Sequence, residues 1–286
     1  MSETPGALDD SALIASMAPD LVVRSVRRDN GQFNDVLIVN DAWVFRFPKS
    51  PAALASLPGE VAILRALAGR LPLPIPEPRY VSLGGEHPGM GYPLLHGAPL
   101  SREWLAAAPA PLRGQVAQRL GAFLRALHAL PADVLAGQPP RDGHEEWAEL
   151  YANIRAHLFP AMRPDARDEV AARFGAFLSG DTGAWAPAPR HGDFGAGNIL
   201  YDAAAEELTG VIDFSSAGLG DPAMDIAALS TLGDAVLDRA LIAYPEAAAY
   251  LERAAFYRST FALQQAWYGL RDGSEEDFEW GIARYR

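Results

Sequence analysis

Short apolar blocks separated by turn-forming residues fill the first third of the chain, and longer helical periodicities fill the rest. Residues 9–18 predict a short helix and residues 21–26 a strand. Asn30-Gly31-Gln32-Phe33-Asn34-Asp35 predicts a turn, and residues 36–39 the next strand. Asn40-Asp41 predicts a tight hairpin connection to a third strand over 42–47. Pro48 ends that strand, because proline cannot donate to a ladder. Pro58 and Gly59 are expected to open a helix over 60–68, with Val61, Leu64 and Leu67 at helical spacing. The stretch LPLPIPEP, residues 71–78, excludes helix and central strand and predicts an extended connector. Residues 79–83 and 90–95 predict two further strands around Gly84-Gly85.

The pattern breaks at His96-Gly97-Ala98-Pro99, where the domain boundary is expected. Beyond Ser101 the periodicity is helical: residues 112–130 form one long helix with Leu120, Leu124 and Leu127 on one side. Residues 147–158 and 168–178 predict two more. Residues 188–200 and 208–214 return to short strands and turns, and helices resume from Met224. The expectation is an α+β protein: an N-terminal antiparallel β-sheet domain with one helix, residues 1–95, and a mainly helical domain, residues 96–286.

Composition narrows the classes. Of 286 residues 49% are hydrophobic and 21% charged, which suits a globular chain with a sizeable core. A net charge of -12 disfavours nucleic acid as a partner, which needs a basic stripe, and suits a cationic small molecule. There is no cysteine, which excludes disulfides, thiolate zinc sites and a cysteine nucleophile. The N-terminus lacks the basic start and apolar centre of a signal peptide, and no apolar run approaches the ~18 residues that span a bilayer. A soluble, cytoplasmic monomer with no membrane contact is expected.

The candidate chemistry lies in Arg190-His191-Gly192-Asp193-Phe194-Gly195-Ala196-Gly197-Asn198. A carboxylate on a glycine-rich loop can accept the proton of an attacking hydroxyl, and an asparagine amide oxygen nearby can hold a metal ion. Val211-Ile212-Asp213-Phe214 places a second carboxylate at the end of an apolar strand, an oxygen ligand for a hard cation that bridges phosphates. The order and spacing resemble the H-R-D-x-x-x-x-N and D-F-G elements of protein kinases, with Gly192 in place of arginine and Ser215 in place of glycine. With Gly220-Asp221-Pro222 and Asp225 following, the set resembles the aminoglycoside phosphotransferase family, closest to its aminoglycoside 2″- and macrolide branch. That resemblance runs from about Gly31 to the C-terminus. It implies a protein-kinase-like bilobal fold and a magnesium-dependent kinase using ATP or GTP. Asp193 would be the catalytic base, Asn198 and Asp213 the Mg²⁺ ligands, and His191, Asp221 and Asp225 braces of the loop. Taken alone, each aspartate also fits a turn, a cap or a strand end.

A Walker A sequence is absent, as is a full G-x-G-x-x-G loop. Gly31 and Asn34 belong to the turn that would cover the phosphates in their place. Kinases carry an inward lysine on the third strand, paired with a helix glutamate. Val44 and Arg46 share one face of the strand, so Arg46 takes the lysine position, with Glu60 as its partner and Lys49 as its rival. The base is expected against residues 91–95, with Tyr92, Leu94, Leu95 and Ile212 around it.

For the acceptor, the resembling antibiotic kinases direct attention to the C-terminal aromatic and acidic run, here Trp267, Tyr268, Asp272, Glu275 and Glu276. An aminoglycoside hydroxyl is the first expectation. A macrolide kinase or a metabolic small-alcohol or sugar kinase is the alternative, and a nucleotide-binding pseudokinase a further one.

Overall fold

The computed structural model describes residues 10–31, 34–135, 140–141, 143–180 and 185–286. Asp9 in the first predicted helix and Gln32 and Phe33 in the predicted turn lie outside the described residues. In chain order the elements are α1 (Asp10–Met17), β1 (Val26–Asn30), β2 (Asn34–Val39), β3 (Trp43–Pro48), α2 (Pro51–Leu67), β4 (Tyr80–Ser82), β5 (Gly89–Pro93) and β6 (Ala98–Pro99). There follow α3 (Arg102–Ala107), α4 (Ala110–His128), α5 (His144–Asn153), α6 (Pro164–Ser179), β7 (Ala188–Arg190), β8 (Ile199–Asp202), β9 (Glu207–Val211) and β10 (Gly218–Gly220). The chain closes with α7 (Ala223–Ser230), α8 (Asp234–Ala243), α9 (Leu251–Asp272) and α10 (Glu275–Ile282). Two compact units emerge, Met1–Ser101 with Gly197–Ala217 and Arg102–Ala196 with Gly218–Arg286.

In the first unit five antiparallel strands lie in the order β1-β2-β3-β5-β4. Asn40, Asp41 and Ala42 connect β2 to β3; Asn40 and Asp41 have φ of 56° and 50°, a left-handed pair whose turn is closed by the Ala42 N–H donating to Val39 O at 3.0 Å. Leu37, Val39, Phe45 and Phe47 pack with Ile14 of α1 and Ala18 just after it on one face of the sheet. The alternation turns Val44 and Arg46 to the other face. The connector over 71–78 is neither helix nor strand, with bends at 71–73, and Pro74 O accepts the N–H of Val211 at 2.9 Å, tying it to β9. A second sheet, β6-β8-β9, carries the Asn198 and Asp213 segments at its ends.

Two expected boundaries move. The first strand is Val26–Asn30 and not residues 21–26, because the apolar residues Leu21 and Val23 pack against the core cluster outside the ladder. Asn40 holds that approach in place: its Oδ1 accepts the N–H groups of Arg24 and Ser25, and its Nδ2 donates to Val22 O. The strand itself runs through charged Arg27, Arg28 and Asp29, which suits a sheet edge. Helix α2 starts at Pro51, a turn and more before Pro58, with Ser50 Oγ accepting the Ala53 N–H as N-cap. Pro58 sits inside the helix, where it forgoes one backbone bond without ending it.

The second unit is helical, with β7 and β10 paired as a short ribbon. Val116, Leu120, Phe123, Leu124 and Leu127 form the buried face of α4. Helix α8 comes so close that a Cβ on Gly121 would stand 2.2 Å from Ala240 O. Trp147 stacks on Tyr257 at 4.9 Å between centroids, joining α5 to α9. Among the described residues no helix is long and apolar enough to cross a membrane.

Intrinsic propensity favours alanine over glycine within a helix by about 1 kcal/mol. The clash with Ala240 reverses that sign at Gly121. Gly121→Ala is expected to destabilise the protein by about 1–3 kcal/mol, seen as a lower midpoint in urea unfolding. A midpoint equal to or above the parent's would contradict this packing.

Candidate functional site

The first unit brings Arg46, Glu60, Tyr92 and Asp213 together. Arg46 on β3 and Glu60 on α2 are 7% and 6% exposed, and Arg46 Nη1 donates to Glu60 Oε1 at 2.7 Å. Arg46 Nη2 faces Asp213 Oδ1 at 3.6 Å. Burial opposes the charge of Arg46, but Glu60 and Asp213 outweigh it, so the guanidinium titrates above its ordinary value. Burial is also the main influence on Glu60. It pushes the carboxyl upward, Arg46 opposing and Asp213 adding to it, and the Phe214 N–H donates to the same carboxylate.

Asp213 adopts φ of 61°, a left-handed conformation uncommon outside glycine, and its Oδ1 accepts the Ser215 N–H at 3.3 Å. The turn aims a partly exposed carboxylate at Arg46. Asn198 O accepts the Ile212 N–H at 2.9 Å, joining the asparagine segment to the Ile212-Asp213 segment backbone to backbone. Carboxylate and amide oxygens are the donors that magnesium takes, with nucleotide phosphates and water completing its shell. Among the described residues no group of three or more His, Cys, Asp or Glu is placed to hold a metal by itself, and a nucleotide-borne ion needs none. Asn198 and Asp213 thus fit a magnesium ion.

Lys49 is placed elsewhere than Arg46. Its Nζ donates to Gly31 O at 2.9 Å and lies 3.5 Å from Asp35 Oδ1, so it clasps the β1–β2 turn. Gly31 is confined there: a Cβ would come within 2.9 Å of Asn34 O. At the expected base-binding segment, the Leu94 N–H already donates to Ala42 O at 2.8 Å and so belongs to the sheet. Leu95 packs over Gly210, Ile212 is half-buried, and Tyr92 is buried against Arg46.

Asp193 lies in the second unit, on a loop held from behind by Asp225. Asp225 is 0% exposed; its Oδ2 accepts the His191 N–H at 2.8 Å and its Oδ1 the Gly192 N–H at 2.7 Å. Gly192 has φ of 84°, a reason for glycine where protein kinases carry arginine. The Asp193 N–H donates to His191 Nδ1 at 3.2 Å. Phe194 is buried and stacks on Phe123 at 5.5 Å. Asp193 is therefore an exposed carboxylate between two buried anchors. Asp221, also fully buried, accepts Arg253 at 2.6 and 3.0 Å and Tyr257 Oη at 2.8 Å.

Sequence reasoning passed over His128, the last residue of α4. Its Nε2 lies 3.0 Å from Asp225 Oδ2 and its Nδ1 3.1 Å from Tyr244 Oη. A histidine ending a helix is a common cap residue, so only its buried partners single it out. Burial disfavours the Asp225 charge, but the hydrogen bond and charge of His128, with those of His191 and Arg190, prevail. The carboxyl is held below the usual aspartate value.

The acceptor candidates have local partners. Trp267 stacks on His157 at 4.8 Å, and Arg271 covers the Tyr268 ring at 4.8 Å. Asp272 accepts Arg271 through both oxygens at 2.7 and 2.8 Å. Glu275 and Glu276 are exposed in the first turn of α10, where acidic residues favour the helix N-terminus.

A family model described as the phosphotransferase enzyme family matches residues 25–257. The viomycin phosphotransferase of Streptomyces vinaceus is 32% identical over 286 residues, covering 96% of this chain and 97% of the relative. A GDP and kanamycin complex of an APH(2″) enzyme superposes with TM-score 0.89 at 24% identity, over 96% of each chain. The apoenzyme of a macrolide 2′-phosphotransferase from Brachybacterium faecium gives 0.73 at 25% identity, over 97% of this chain and 98% of that one. The kinase-like fold expected from the sequence is thus the fold observed.

His128→Leu withdraws one donor from buried Asp225 and is expected to cost about 1–3 kcal/mol. Amide exchange at His191 and Gly192 should accelerate, measured by hydrogen–deuterium exchange. Because the Asp225 pKa is lowered, its stabilisation is present above the unfolded carboxyl value and is lost as pH falls through the lower folded one. The variant should lose stability at a higher pH than the parent does. Unchanged exchange and an unchanged acid limb would show that the loop does not depend on His128.

Proposed function

The chain belongs to the phosphotransferase enzyme family, and on that premise we propose that it transfers the γ-phosphoryl group of ATP or GTP to a hydroxyl of an antibiotic. The observation that carries this reading is the buried Arg46, set between the helix carboxylate of Glu60 and the left-handed Asp213. A guanidinium so held presents fixed positive charge to phosphate oxygens. The viomycin phosphotransferase likeness puts viomycin first among acceptors, followed by the aminoglycosides, with macrolides as the alternative. A net charge of -12 favours a cationic acceptor.

In this mechanism Asp193 accepts a hydrogen bond from the acceptor hydroxyl and takes its proton as the oxygen attacks the γ-phosphorus in line. The bond from that phosphorus to the β–γ bridging oxygen breaks, and the nucleoside diphosphate leaves. Arg46 orients the phosphates, with Glu60 holding it in place. Asn198 and Asp213 would hold magnesium, which supplies charge neutralisation on the phosphates. His191 and Asp225 act on the loop, and Asp221 ties α9 to the start of α7, none of them on the substrate.

Coupled assays of nucleotide turnover with viomycin, kanamycin, gentamicin, a macrolide and simple metabolic alcohols test the acceptor. Turnover restricted to metabolic alcohols would refute the antibiotic reading, and nucleotide binding without turnover would mark a pseudokinase. Asp193→Asn is expected to cut kcat by about 10²–10⁴-fold while nucleotide affinity persists. Unaltered kcat would remove Asp193 from the role of base.

Arg46→Ala should weaken nucleotide binding by at least about tenfold, whereas Lys49→Ala should leave it within about threefold. Isothermal titration with GDP and ADP measures both, and the reverse order would assign the phosphates to Lys49.

A further inference from the structure

Asp225 settles which nitrogen of His128 carries a proton. A charged carboxylate only accepts, so the His128 Nε2 that stands 3.0 Å from Asp225 Oδ2 is the donor of that bond. The other nitrogen, Nδ1, meets Tyr244 Oη at 3.1 Å. Burial above all pushes the Tyr244 phenol upward, so the oxygen keeps its hydrogen. A neutral ring accepts that hydrogen at Nδ1, and a protonated ring donates to the same oxygen, because a hydroxyl does both. Tyr244 and His128 are 5% and 8% exposed, so water does not take the place of either partner. An imidazole bonded at one nitrogen can turn about that bond, whereas one bonded at both has a single orientation.

Packing of α4 against α8 brings the two side chains together. His128 is the last residue of α4, and Tyr244 directly follows α8, its N–H donating to Ala240 O at 3.0 Å. That carbonyl is the one that leaves Gly121 of α4 no space for a Cβ. The close approach of the helices thus sets the phenol against the imidazole. The imidazole in turn meets the carboxylate that accepts the His191 and Gly192 N–H groups. We propose that Tyr244 is a positioning residue for the Asp193 loop: its hydroxyl fixes the His128 ring, the ring fixes Asp225, and Asp225 fixes the backbone that presents Asp193. The proposal rests on the role of base assigned to Asp193 above. Tyr244 acts through three intervening contacts and not on the substrate.

The test is a double-mutant cycle on the full chain: the parent, Tyr244→Phe, His128→Leu and the double variant. Phenylalanine keeps the ring and its packing and removes only the hydroxyl. Hydrogen–deuterium exchange at the His191 and Gly192 amides is the first readout and needs no substrate. Tyr244→Phe is expected to accelerate it about tenfold in the parent and less than about twofold in the His128→Leu background. The second readout separates catalysis from binding. In the parent background kcat with the best acceptor of the panel above should fall about three- to tenfold, while the dissociation constants for GDP and ADP stay within about twofold. Equal acceleration in both backgrounds, no acceleration in the parent, or an unaltered kcat overturns the proposal and leaves the kinase assignment intact. So does a loss of nucleotide affinity as large as the loss in kcat. A parent chain that turns over no acceptor overturns the kinase assignment and this proposal with it. Where His128→Leu does not fold, His128→Met supplies the background without ring nitrogens.

Discussion

A carboxylate with no exposure to water has to be matched donor for donor, and Asp225 imposes that condition on the second unit. Its two oxygens receive the N–H groups of His191 and Gly192, and His128 stands 3.0 Å from one of them. Leaving such a charge short of partners costs several kcal/mol, more than any single loop contact returns. The loop, α4 and α7 are therefore coupled through this one carboxylate. Two successive N–H groups on one carboxylate also dictate local backbone shape, hence φ of 84° at Gly192. Asp193 follows as the residue left facing solvent while His191 and Phe194 are drawn inward.

The ion pair in the first unit has a different physical logic. A buried arginine–glutamate pair contributes little net stability, because desolvation of both ions consumes most of their attraction. Asp213 adds a second carboxylate to the one guanidinium and so weakens the case for stability further. An arrangement so indifferent to stability agrees with the proposed role, in which Arg46 would meet phosphate oxygens and Asp213 a cation. The left-handed turn at Asp213 fits the same view, since uncommon backbone conformations persist where their surroundings over-determine them.

What the sequence revealed followed the range of the interactions involved. Asn40-Asp41, the proline connector over 71–78 and the face shared by Val44 and Arg46 are set by neighbouring residues, and each was legible. The family was legible because the order of the motif residues along the chain is itself the signal. The start of β1 was misplaced because an apolar run, Leu21 to Val23, can reach the core without joining a ladder. The start of α2 was missed because Pro58-Gly59 imitates an opening that Ser50-Pro51 already supplies. His128 and the Lys49 clasp depend on partners 97 and 18 residues away, and nothing near them in the sequence announces those partners.

On the acceptor side a local pattern meets local partners. An aromatic and acidic run suggests a surface ready for a cation, yet Asp272 is neutralised by Arg271, and Arg271 covers Tyr268. Glu275 and Glu276 stabilise the start of α10 by virtue of position alone. Pairs one to three residues apart form at almost any helix junction, so they carry little information about a ligand. The Trp267–His157 stack is different, because it joins α9 to the wide π-helical turn Ile154–Leu158 across a long stretch of chain. Irregular helical turns of that kind cost regular backbone bonding and are frequent at functional sites. For the proposed cationic acceptor, attraction would be a property of the whole chain's net charge of -12, whereas discrimination among acceptors would fall to long-range contacts such as this stack.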